Sequence, residues 1–424
     1  MNLAKVLSLR FRFHIMRPLH YSGAPRSPRT LSTFVRPRLA GEEPDFYGEG
    51  GFHRVALGGI FDAGRYHILR KLGYGQYSTV WLARDSKHQR YVALKILRAD
   101  CYGGPERAVL SKITDISARS KHEGRHHILP FLHQFKHIGP NGVHVCLVFE
   151  VLGHHLYFQC SKYKDGRLPV RAIKVIARQL LLGLDFLHTE CEVIHTVDIH
   201  PKNILLELDD PHTAISRHLS EVPPRTDTQS GEVLPLREVM NIPPISEIKE
   251  PHIRIIDFGV AAYRHGHHSQ KIQPPALRAP EVTIGAPWST GVDIWSLGCL
   301  IVEFMQGIIP FSGQESKHGD WTADDDRLAK TIEVLGPFPP ELLKKGNKSG
   351  EFFHENGELR RIANLVPTTL ESIINGSAQP FLKPDDMPDE EVPVFIHFLK
   401  GMLTINPDHR RAAADLLQHE WLNL

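Results

Sequence analysis

The sequence predicts an α+β fold with two lobes, a small antiparallel β-rich N-terminal lobe and a larger, mostly helical C-terminal lobe. The chain has 424 residues, which is too long for one simple core and suits two lobes, or one split domain with tails. Strand-like runs of β-branched and aromatic residues concentrate in the first part of the chain, and apolar residues at helical spacing dominate the rest. We place the first lobe and its connection at 66–152 and the second lobe at 153–424.

The overall composition excludes several classes of protein. Lys and Arg total 50 and Asp and Glu total 48, so a net charge of +2 favours neither nucleic acid nor a membrane surface as a partner. The five cysteines are scattered, which is typical of a reduced intracellular compartment and argues against a disulfide framework or a zinc site. No apolar run reaches the roughly 18 residues of a membrane span.

The N-terminal segment stands apart from the rest of the chain. Residues 1–41 contain seven arginines, several Ser and Thr residues and no acid. This composition fits a mitochondrial presequence and a disordered basic tail equally well. We predict that residues 1–50 lack a fold of their own.

A strand, a glycine-containing turn and a second strand open the first lobe. Residues 66–85 alternate like two strands around Gly73 and Gly75, which let the backbone approach a phosphate closely. Ser78 replaces the third glycine of a typical nucleotide-binding loop, so we expect a somewhat stiffer loop. Because the turn lies between two strands, it does not match a dinucleotide-binding Rossmann motif.

Lys95 is the first candidate for chemistry. In the strand 91–97 it shares one face with Ala93, and a lysine on an inward face needs a partner. A phosphate and a carboxylate would pair it, and the carboxylate candidate is Glu106. Glu106 follows Pro105 in the first turn of a predicted helix, where the helix dipole alone would favour an acid. The two roles of Glu106 are compatible.

Two further elements lead to the centre of the chain. Residues 143–149 form a predicted buried strand that continues into 150–153. This segment is either the connection between the lobes, where adenine would bind, or a plain core strand. Residues 170–188 have apolar side chains at spacings of three and four, which predicts an amphipathic helix.

The central loop, Val193 to Leu206 with the sequence V-I-H-T-V-D-I-H-P-K-N-I-L-L, carries Asp198 and, five positions on, Asn203. Phosphoryl transfer needs a carboxylate that orients the attacking hydroxyl and an amide oxygen beside it for Mg²⁺. This spacing supplies both, although a turn rich in Asp and Asn would show it too. Lys95 upstream and Asp257 downstream favour the catalytic interpretation.

A polar stretch interrupts the second lobe. Residues 209–252 contain seven prolines and no periodicity, so we predict a surface insertion of low order. The insertion separates Asn203 from Asp257, which ends a buried strand and precedes Gly259. The two residues can still meet if the strands on either side of the insertion pair. Asp257 would then be a second metal ligand.

Two predicted contacts are structural. Asp293, at the start of an apolar helix, is placed to accept hydrogen bonds from the backbone amides of the central loop. Arg410 and Glu281 are expected to form a buried ion pair that ties the substrate-side loop to the last helices. The apolar stretch 294–311 contains Glu303 and predicts a buried helix rather than a membrane span.

In type and order these residues resemble those of the eukaryotic protein kinases, from about Tyr66 to Leu422. Within that superfamily the chain most resembles the SR-protein-specific serine/threonine kinases. The resemblance is carried by L-G-Y-G-Q-Y-S-T-V-W-L at 72–82, F-E-V-L-G-H-H-L at 149–156, V-I-H-T at 193–196 and G-E-F-F at 350–353. It implies a two-lobed protein kinase fold and phosphorylation of serine or threonine in Arg/Ser-rich proteins, many of them splicing factors, with ATP and Mg²⁺ as cofactors.

The resemblance also implies the site residues. The catalytic set is Lys95, Glu106, Asp198 and His200, and the Mg²⁺ ligands are Asn203 and Asp257. The ATP-binding set is Leu72, Gly73, Tyr74, Gly75, Gln76, Ser78, Val80, Ala93, Lys95, Phe149, Glu150, Leu152 and Leu205. We also expect a monomer that binds no nucleic acid directly. The resemblance implies the cytoplasm or the nucleus, whereas a presequence would imply the mitochondrion.

The central loop departs from the family pattern. The family's H-T-D is here His195-Thr196-Val197-Asp198, so we expect the histidine that braces the loop to be displaced or replaced by Thr196. His200 stands where these kinases place a lysine on the γ-phosphate, and a lost donor costs about 3 kcal/mol unless a protonated His200 replaces it. No arginine precedes Asp198, so we expect activity without a phosphate on the activation segment, which runs from Asp257 to Glu281.

These departures leave two alternatives to an active protein kinase. A pseudokinase would bind nucleotide and partners without turnover. A kinase for small molecules is disfavoured by Ala279-Pro280-Glu281, Asp293 and Arg410, which resemble the apparatus that presents a polypeptide.

Two acidic runs also allow two interpretations. The runs are Asp324 to Asp326 and Asp385 to Glu391. They would either dock an arginine-rich substrate or, in the first case, stabilise the start of the helix predicted at 328–335.

Overall fold

The computed structural model describes residues 44–101, 104–196, 199–224, 242–266 and 272–423. The basic segment 1–41 therefore lies outside the described residues, as do Val197 and Asp198. Residues 44–50, which we predicted to be unfolded, are folded. Pro44–Tyr47 forms a 3-10 helix, and the amide of Gly50 donates to the carbonyl oxygen of Asn141 at 2.9 Å.

The N-terminal lobe is an antiparallel sheet of six strands in the order β1-β2-β3-β4-β6-β5. The strands are β1 (Ile60–Phe61), β2 (Tyr66–Tyr74), β3 (Ser78–Asp85), β4 (Arg90–Leu97), β5 (Phe131–Gly139) and β6 (Gly142–Phe149), and helix α1 (Gly104–Ser117) lies between β4 and β5. Along β4, Val92, Leu94 and Ile96 are buried in the core of the sheet, and Ala93 and Lys95 share the other face, as the two-residue period predicted.

The C-terminal lobe is mainly helical. Its helices are α2 (Leu156–Cys160), α3 (Val170–Thr189), α4 (Pro211–Glu221), α5 (Pro280–Thr283), α6 (Gly291–Gln306), α7 (Ala323–Leu335), α8 (Pro340–Lys345), α9 (Ser349–Phe352), α10 (Leu370–Ile374), α11 (Glu391–Met402) and α12 (Ala413–Leu417). The two-lobed α+β prediction is therefore confirmed. No helix in the described part of the chain combines the length and apolar character of a membrane span.

Helices α3 and α6 form the centre of this lobe. The apolar stripe predicted for α3 is buried, with Ile173, Leu180 and Leu184 fully shielded from solvent. Helix α6 is buried on almost all sides, which explains why its sequence is apolar without a clear period. Helix α3 packs against the strand residues Val193–Ile194 and Ile253–Ile255.

Four short strands flank the central loop and the residues around Asp257. They are β7 (Val193–Ile194), β8 (Ile204–Leu206), β9 (Ile253–Ile255) and β10 (Ala262–Tyr263), and they form the antiparallel pairs β7–β10 and β8–β9. Leu206 lies opposite Ile253. The predicted pairing across the insertion is therefore confirmed.

The insertion is more ordered than predicted. Its helix α4 begins at an N-cap, where the Asp210 carboxylate accepts from the amide of Thr213 at 3.0 Å. Ile215 is 1% exposed and packs with Leu82 of β3 and Val151 after β6. The prediction of low order is therefore wrong for α4. Residues 225–241 lie outside the described residues.

A buried ion pair ties the helices of the C-terminal lobe together. The two terminal guanidinium nitrogens of Arg410, Nη1 and Nη2, donate to the Glu281 carboxylate at 2.7 and 2.9 Å. Both side chains are fully buried. Arg410 also donates to the carbonyl oxygen of Gly291 at the start of α6. This is the predicted two-pronged pair between α5 and the last helices.

Candidate active site

Lys95 lies at the junction of the two lobes. Its Nζ donates to Glu106 Oε1 at 2.6 Å and to Asp257 Oδ1 at 3.2 Å. Burial lowers the pKa of Lys95, but the negative charges of Asp257 and Glu106 outweigh burial and raise it above that of an ordinary lysine. The ammonium therefore stays charged. The same charge is the main reason that the pKa of Asp257 is lowered.

Helix α1 positions Glu106. The side chain lies in the first turn of α1 and the residue is only 6% exposed. Val109, Leu110 and Ile113 follow it on the buried face of the helix, which packs against the sheet. Glu106 therefore has both of the roles considered from the sequence, an acid at a helix N-terminus and the partner of the lysine.

The central loop is fixed by one buried carboxylate. Asp293 on α6 accepts from the backbone amides of His195 and Thr196 at 2.8 and 2.9 Å. It also contacts Nε2 of His188 on α3 at 2.8 Å. The predicted role of Asp293 is confirmed, because one side chain joins α3, α6 and the loop.

The two predicted metal ligands come together through backbone pairing. Ile204 lies opposite Ile255, and the amide of Ile256 donates to the carbonyl oxygen of Asn203 at 3.0 Å. Asp257 is the next residue, and its side chain is 44% exposed toward the space between the lobes where Lys95 reaches it. Carboxylate and amide oxygens are ligands that Mg²⁺ prefers. Asp198 lies outside the described residues.

The histidine of the central loop is not displaced. His195 is fully buried, its Nε2 contacts the carbonyl oxygen of Ile256 at 3.1 Å, and its ring packs edge-on against Phe258 with centroids 5.0 Å apart. The prediction that Thr196 replaces it is wrong. Thr196, the next residue, has the left-handed φ of 55° and donates from Oγ1 to the carbonyl oxygen of Val260.

His200 is held by the loop that carries it. Its Nδ1 accepts a hydrogen bond from the amide of Lys202 at 2.9 Å. An accepting Nδ1 places the hydrogen of a neutral ring on Nε2, so the ring has a donor without a positive charge. Glu303 on α6 interacts electrostatically with His200; burial raises the pKa of Glu303 to about 7, and His200 opposes this shift.

The predicted nucleotide loop is the turn between β2 and β3. The amide of Gly75 donates to the carbonyl oxygen of Ser78 at 2.9 Å, which closes the turn. The predicted ATP-binding residues differ in their exposure to solvent. The exposed ones are Tyr74, Gly75 and Gln76, and the buried ones are Ser78, Phe149 and Leu152. The half-buried ones are Leu72, Gly73, Val80, Ala93, Lys95, Glu150 and Leu205.

Strand register brings several of these residues into contact. Val80 lies opposite Lys95, and Ala93 lies opposite Phe149. Leu205 of β8 pairs through an isolated bridge with His155, two residues after the connection between the lobes. The register therefore places Val80 beside Lys95, and the bridge joins β8 to the residue before α2.

The activation segment contains an anchor that sequence reasoning missed. Gln273 is 8% exposed, and its Nε2 donates to the carbonyl oxygen of Val292 and to Ser296 Oγ, both at 2.8 Å. Its Oε1 accepts from the backbone amide of Ala279. The backbone amide of Gln273 donates to the carbonyl oxygen of Thr196. In the sequence, the one signal for this role of Gln273 is its position directly before two prolines.

One acid of each acidic run is held by contacts within the chain. Asp325 is 1% exposed, completes a capping box with Thr322 at the start of α7 and pairs with Arg361 at 2.8 Å. Asp386 accepts from the amide of Val170 at 2.7 Å. The helix-start interpretation therefore accounts for Asp325, and a buried Asp325 is not available to a substrate.

Comparison with known proteins agrees with this geometry. The family model described as protein kinase domain matches residues 66–422. The chain is 34% identical over 398 residues to a serine/threonine-protein kinase SRPK of Physarum polycephalum, covering 90% of this chain and 91% of the relative. It is 28% identical over 524 residues to SRSF protein kinase 3 of Homo sapiens, covering 90% of each. It is 30% identical over 476 residues to protein kinase dsk1 of Schizosaccharomyces pombe, covering 90% of this chain and 85% of the relative. The chain therefore belongs to the protein kinases and groups with serine/threonine kinases of the SRPK type.

Proposed function

We propose that this protein uses ATP and Mg²⁺ to phosphorylate serine and threonine residues of Arg/Ser-rich proteins. Membership of the protein kinases implies ATP as the phosphoryl donor. The substrate class is supported by the resemblance at 72–82 and 149–156 to SR-protein-specific kinases. It is also supported by relatives named SRSF protein kinase 3, whose name states the protein on which they act.

The observation that carries the proposal is the contact of Lys95 with two carboxylates. Nζ lies 2.6 Å from Glu106 and 3.2 Å from Asp257, so helix α1 and the activation segment both reach the lysine. Phosphoryl transfer in kinases requires a lysine held by an acid of this helix and an acid of this segment on the metal. The contact therefore supports phosphoryl transfer as the proposed activity.

Each residue of the site has a distinct role in the proposal. ATP supplies the phosphoryl group, and Mg²⁺ neutralises charge on its phosphates. Lys95, oriented by Glu106, holds the phosphates, and Asn203 and Asp257 provide the oxygen ligands for Mg²⁺. Asp198 orients the serine hydroxyl and accepts its proton.

The test is phosphorylation of a peptide by the full chain. An Arg-Ser repeat peptide should be labelled from γ-labelled ATP in the presence of Mg²⁺, and a matched Arg-Ala repeat should not. Asp198→Asn should lower the rate at least about 1000-fold, because it removes the carboxylate that orients the nucleophile.

Asp408→Asn is the matched control, since Asp408 is an exposed acid that pairs with Lys345 on the surface. It should leave the rate unchanged. Equal labelling by wild type and Asp198→Asn would contradict the assignment. Nucleotide binding without any labelling would favour a pseudokinase, and labelling of a Lys-Ser repeat as fast as the Arg-Ser repeat would contradict the substrate class.

A further inference from the structure

The N-terminal strap, defined as residues 44–53, crosses the end of the β5–β6 hairpin. It opens with the 3-10 helix Pro44–Tyr47 and ends around Phe52, which is 1% exposed. The rings of Phe46 and Tyr47 lie 5.5 and 5.7 Å from the ring of Phe52. None of the residues assigned above to phosphoryl transfer belongs to the strap.

Asn141 fastens the strap to the hairpin. It lies in the turn between β5 and β6, and its Nδ2 donates to the carbonyl oxygens of Tyr47 at 2.8 Å and Phe52 at 2.6 Å. Its own carbonyl oxygen accepts from the amide of Gly50 at 2.9 Å. One residue therefore makes three hydrogen bonds to the strap, using both hydrogens of its amide.

The strap also holds the backbone that follows β4. The amides of Ala99 and Asp100 donate to the carbonyl oxygens of Gly51 and Gly50, at 3.1 and 2.9 Å. Gly50 has a left-handed φ of 74°, and a Cβ on Gly51 would overlap the carbonyl oxygen of Phe46. The pair of glycines is therefore required for this path of the chain.

The same stretch of backbone contacts the nucleotide loop. The amide of Arg98 donates to the carbonyl oxygen of Tyr77 at 2.9 Å. Three consecutive amides, those of residues 98–100, thus join the nucleotide loop and the strap to the chain that leads into α1. Helix α1 begins at Gly104, and Glu106 lies in its first turn.

We propose that the N-terminal strap is a positioning element for phosphoryl transfer, with Gly51 and Asn141 as its positioning residues. It holds residues 98–100 so that α1 presents Glu106 to Lys95 and the nucleotide loop keeps its place. The expected effect on catalysis rests on the proposed function, whereas the effect on α1 does not.

The test measures α1 directly and requires no activity. Asn141→Ala removes both side-chain hydrogen bonds to the strap, and Gly51→Ala forces Gly51 and Phe46 apart within the strap. In hydrogen exchange of the full chain, both variants should speed exchange of peptides from 47–55, and peptides covering 104–117 and 72–80 should exchange roughly tenfold faster than in wild type. In the peptide assay, KM for ATP should rise and kcat should fall.

Two controls separate positioning from general loss of stability. Ile138→Ala changes the same hairpin at a side chain that is 81% exposed and should alter no peptide outside the hairpin. Leu416→Ala creates a cavity in α12, which lowers the melting temperature without touching the strap. It should leave exchange of 104–117 at the wild-type rate. Faster exchange confined to the strap, with 104–117 unchanged in both strap variants, would overturn the proposal. An inactive wild type would count against the proposed function alone.

Discussion

At the scale of single residues, the structure changes the interpretation of His200. The sequence suggested that this side chain replaces the lysine of related kinases only when it is protonated. The hydrogen bond from the amide of Lys202 to Nδ1 instead gives the neutral ring a donor at Nε2. The ring can therefore donate to a phosphate oxygen without carrying the charge that a lysine would bring.

We expect His200→Lys to raise kcat and His200→Ala to lower it. An ammonium adds charge stabilisation in the transition state, and removing the donor costs about 10- to 100-fold in rate. Steady-state kinetics with the Arg-Ser peptide measure both. His212→Lys, the same substitution at an exposed histidine on α4, is the control. A kcat of His200→Ala equal to wild type would show that the ring contributes nothing.

Some residue contacts were predictable from the sequence and others were not. Asp293 and Arg410 were placed correctly because an acid at the start of a buried helix and a buried arginine each need a partner, and only a few candidates exist. The position of His195 was predicted wrongly. Counting residues before Asp198 ignored the left-handed backbone of Thr196, which lets the chain turn after the histidine.

At the scale of elements, helix α4 joins parts of the molecule that the sequence did not connect. It belongs to the insertion between β8 and β9, yet its Ile215 packs against Leu82 in the sheet of the N-terminal lobe. Tyr91 Oη also lies 3.0 Å from Ser216 Oγ. The helix therefore rests on the N-terminal sheet and on the connection between the lobes.

We expect Ile215→Ala to destabilise the protein by about 2–4 kcal/mol, because it removes a fully buried side chain from a site that cannot collapse completely. Urea unfolding followed by circular dichroism measures the change. Arg217→Ala, at an exposed position of the same helix, should stay within about 0.5 kcal/mol of wild type. A loss below 0.5 kcal/mol for Ile215→Ala would mean that α4 detaches readily in solution.

The elements differ in how far the sequence determines them. Helix α3 and strand β4 were predicted because long apolar periods leave little choice of structure. Helix α4 was missed because it is short, polar and flanked by prolines, and its few apolar residues become ordered only against the sheet. The strap was missed for a similar reason, since glycines and aromatic residues without a period give no local signal.

At the scale of the whole molecule, buried and half-buried histidines make stability depend on pH. Burial is the main cause that lowers the pKa of His53, His127 and His155 to about 4. The unfolded chain takes up protons on these rings near pH 6.5, and the folded protein does so only near pH 4. Stability is therefore lost as pH falls through this window. Glu303 acts in the opposite direction, because its raised pKa of about 7 reduces stability as pH rises from 4.5 to 7.

We expect the free energy of unfolding to fall steadily from pH 6.5 to pH 4, and His155→Asn to weaken this dependence by about one proton. His155 caps α2 by accepting from the amide of Phe158, and asparagine can accept the same bond without titrating. Urea midpoints measured across this range test the expectation. His318→Asn, at an exposed position, should leave the slope unchanged. An unchanged slope in His155→Asn would show that this ring is not buried in solution.

The two-lobed architecture was predictable because the candidate catalytic and metal-binding residues follow one another along the chain in the order of one known superfamily. The contacts that connect one element to another were not predictable, since they consist of backbone hydrogen bonds and single side chains. The stretch 98–100 and Gln273 are examples, because neither has a composition that distinguishes it from an ordinary loop.

Gln273 has a consequence for how such an enzyme is controlled. Its side-chain Nε2 bonds the activation segment to α6, and its backbone amide bonds it to the central loop, in each case with a neutral partner. A phosphatase therefore finds no modification here whose removal would release the segment, and added salt has no charge pair at this anchor to screen. We therefore expect the contacts of Gln273 to persist at high salt and after treatment with a phosphatase.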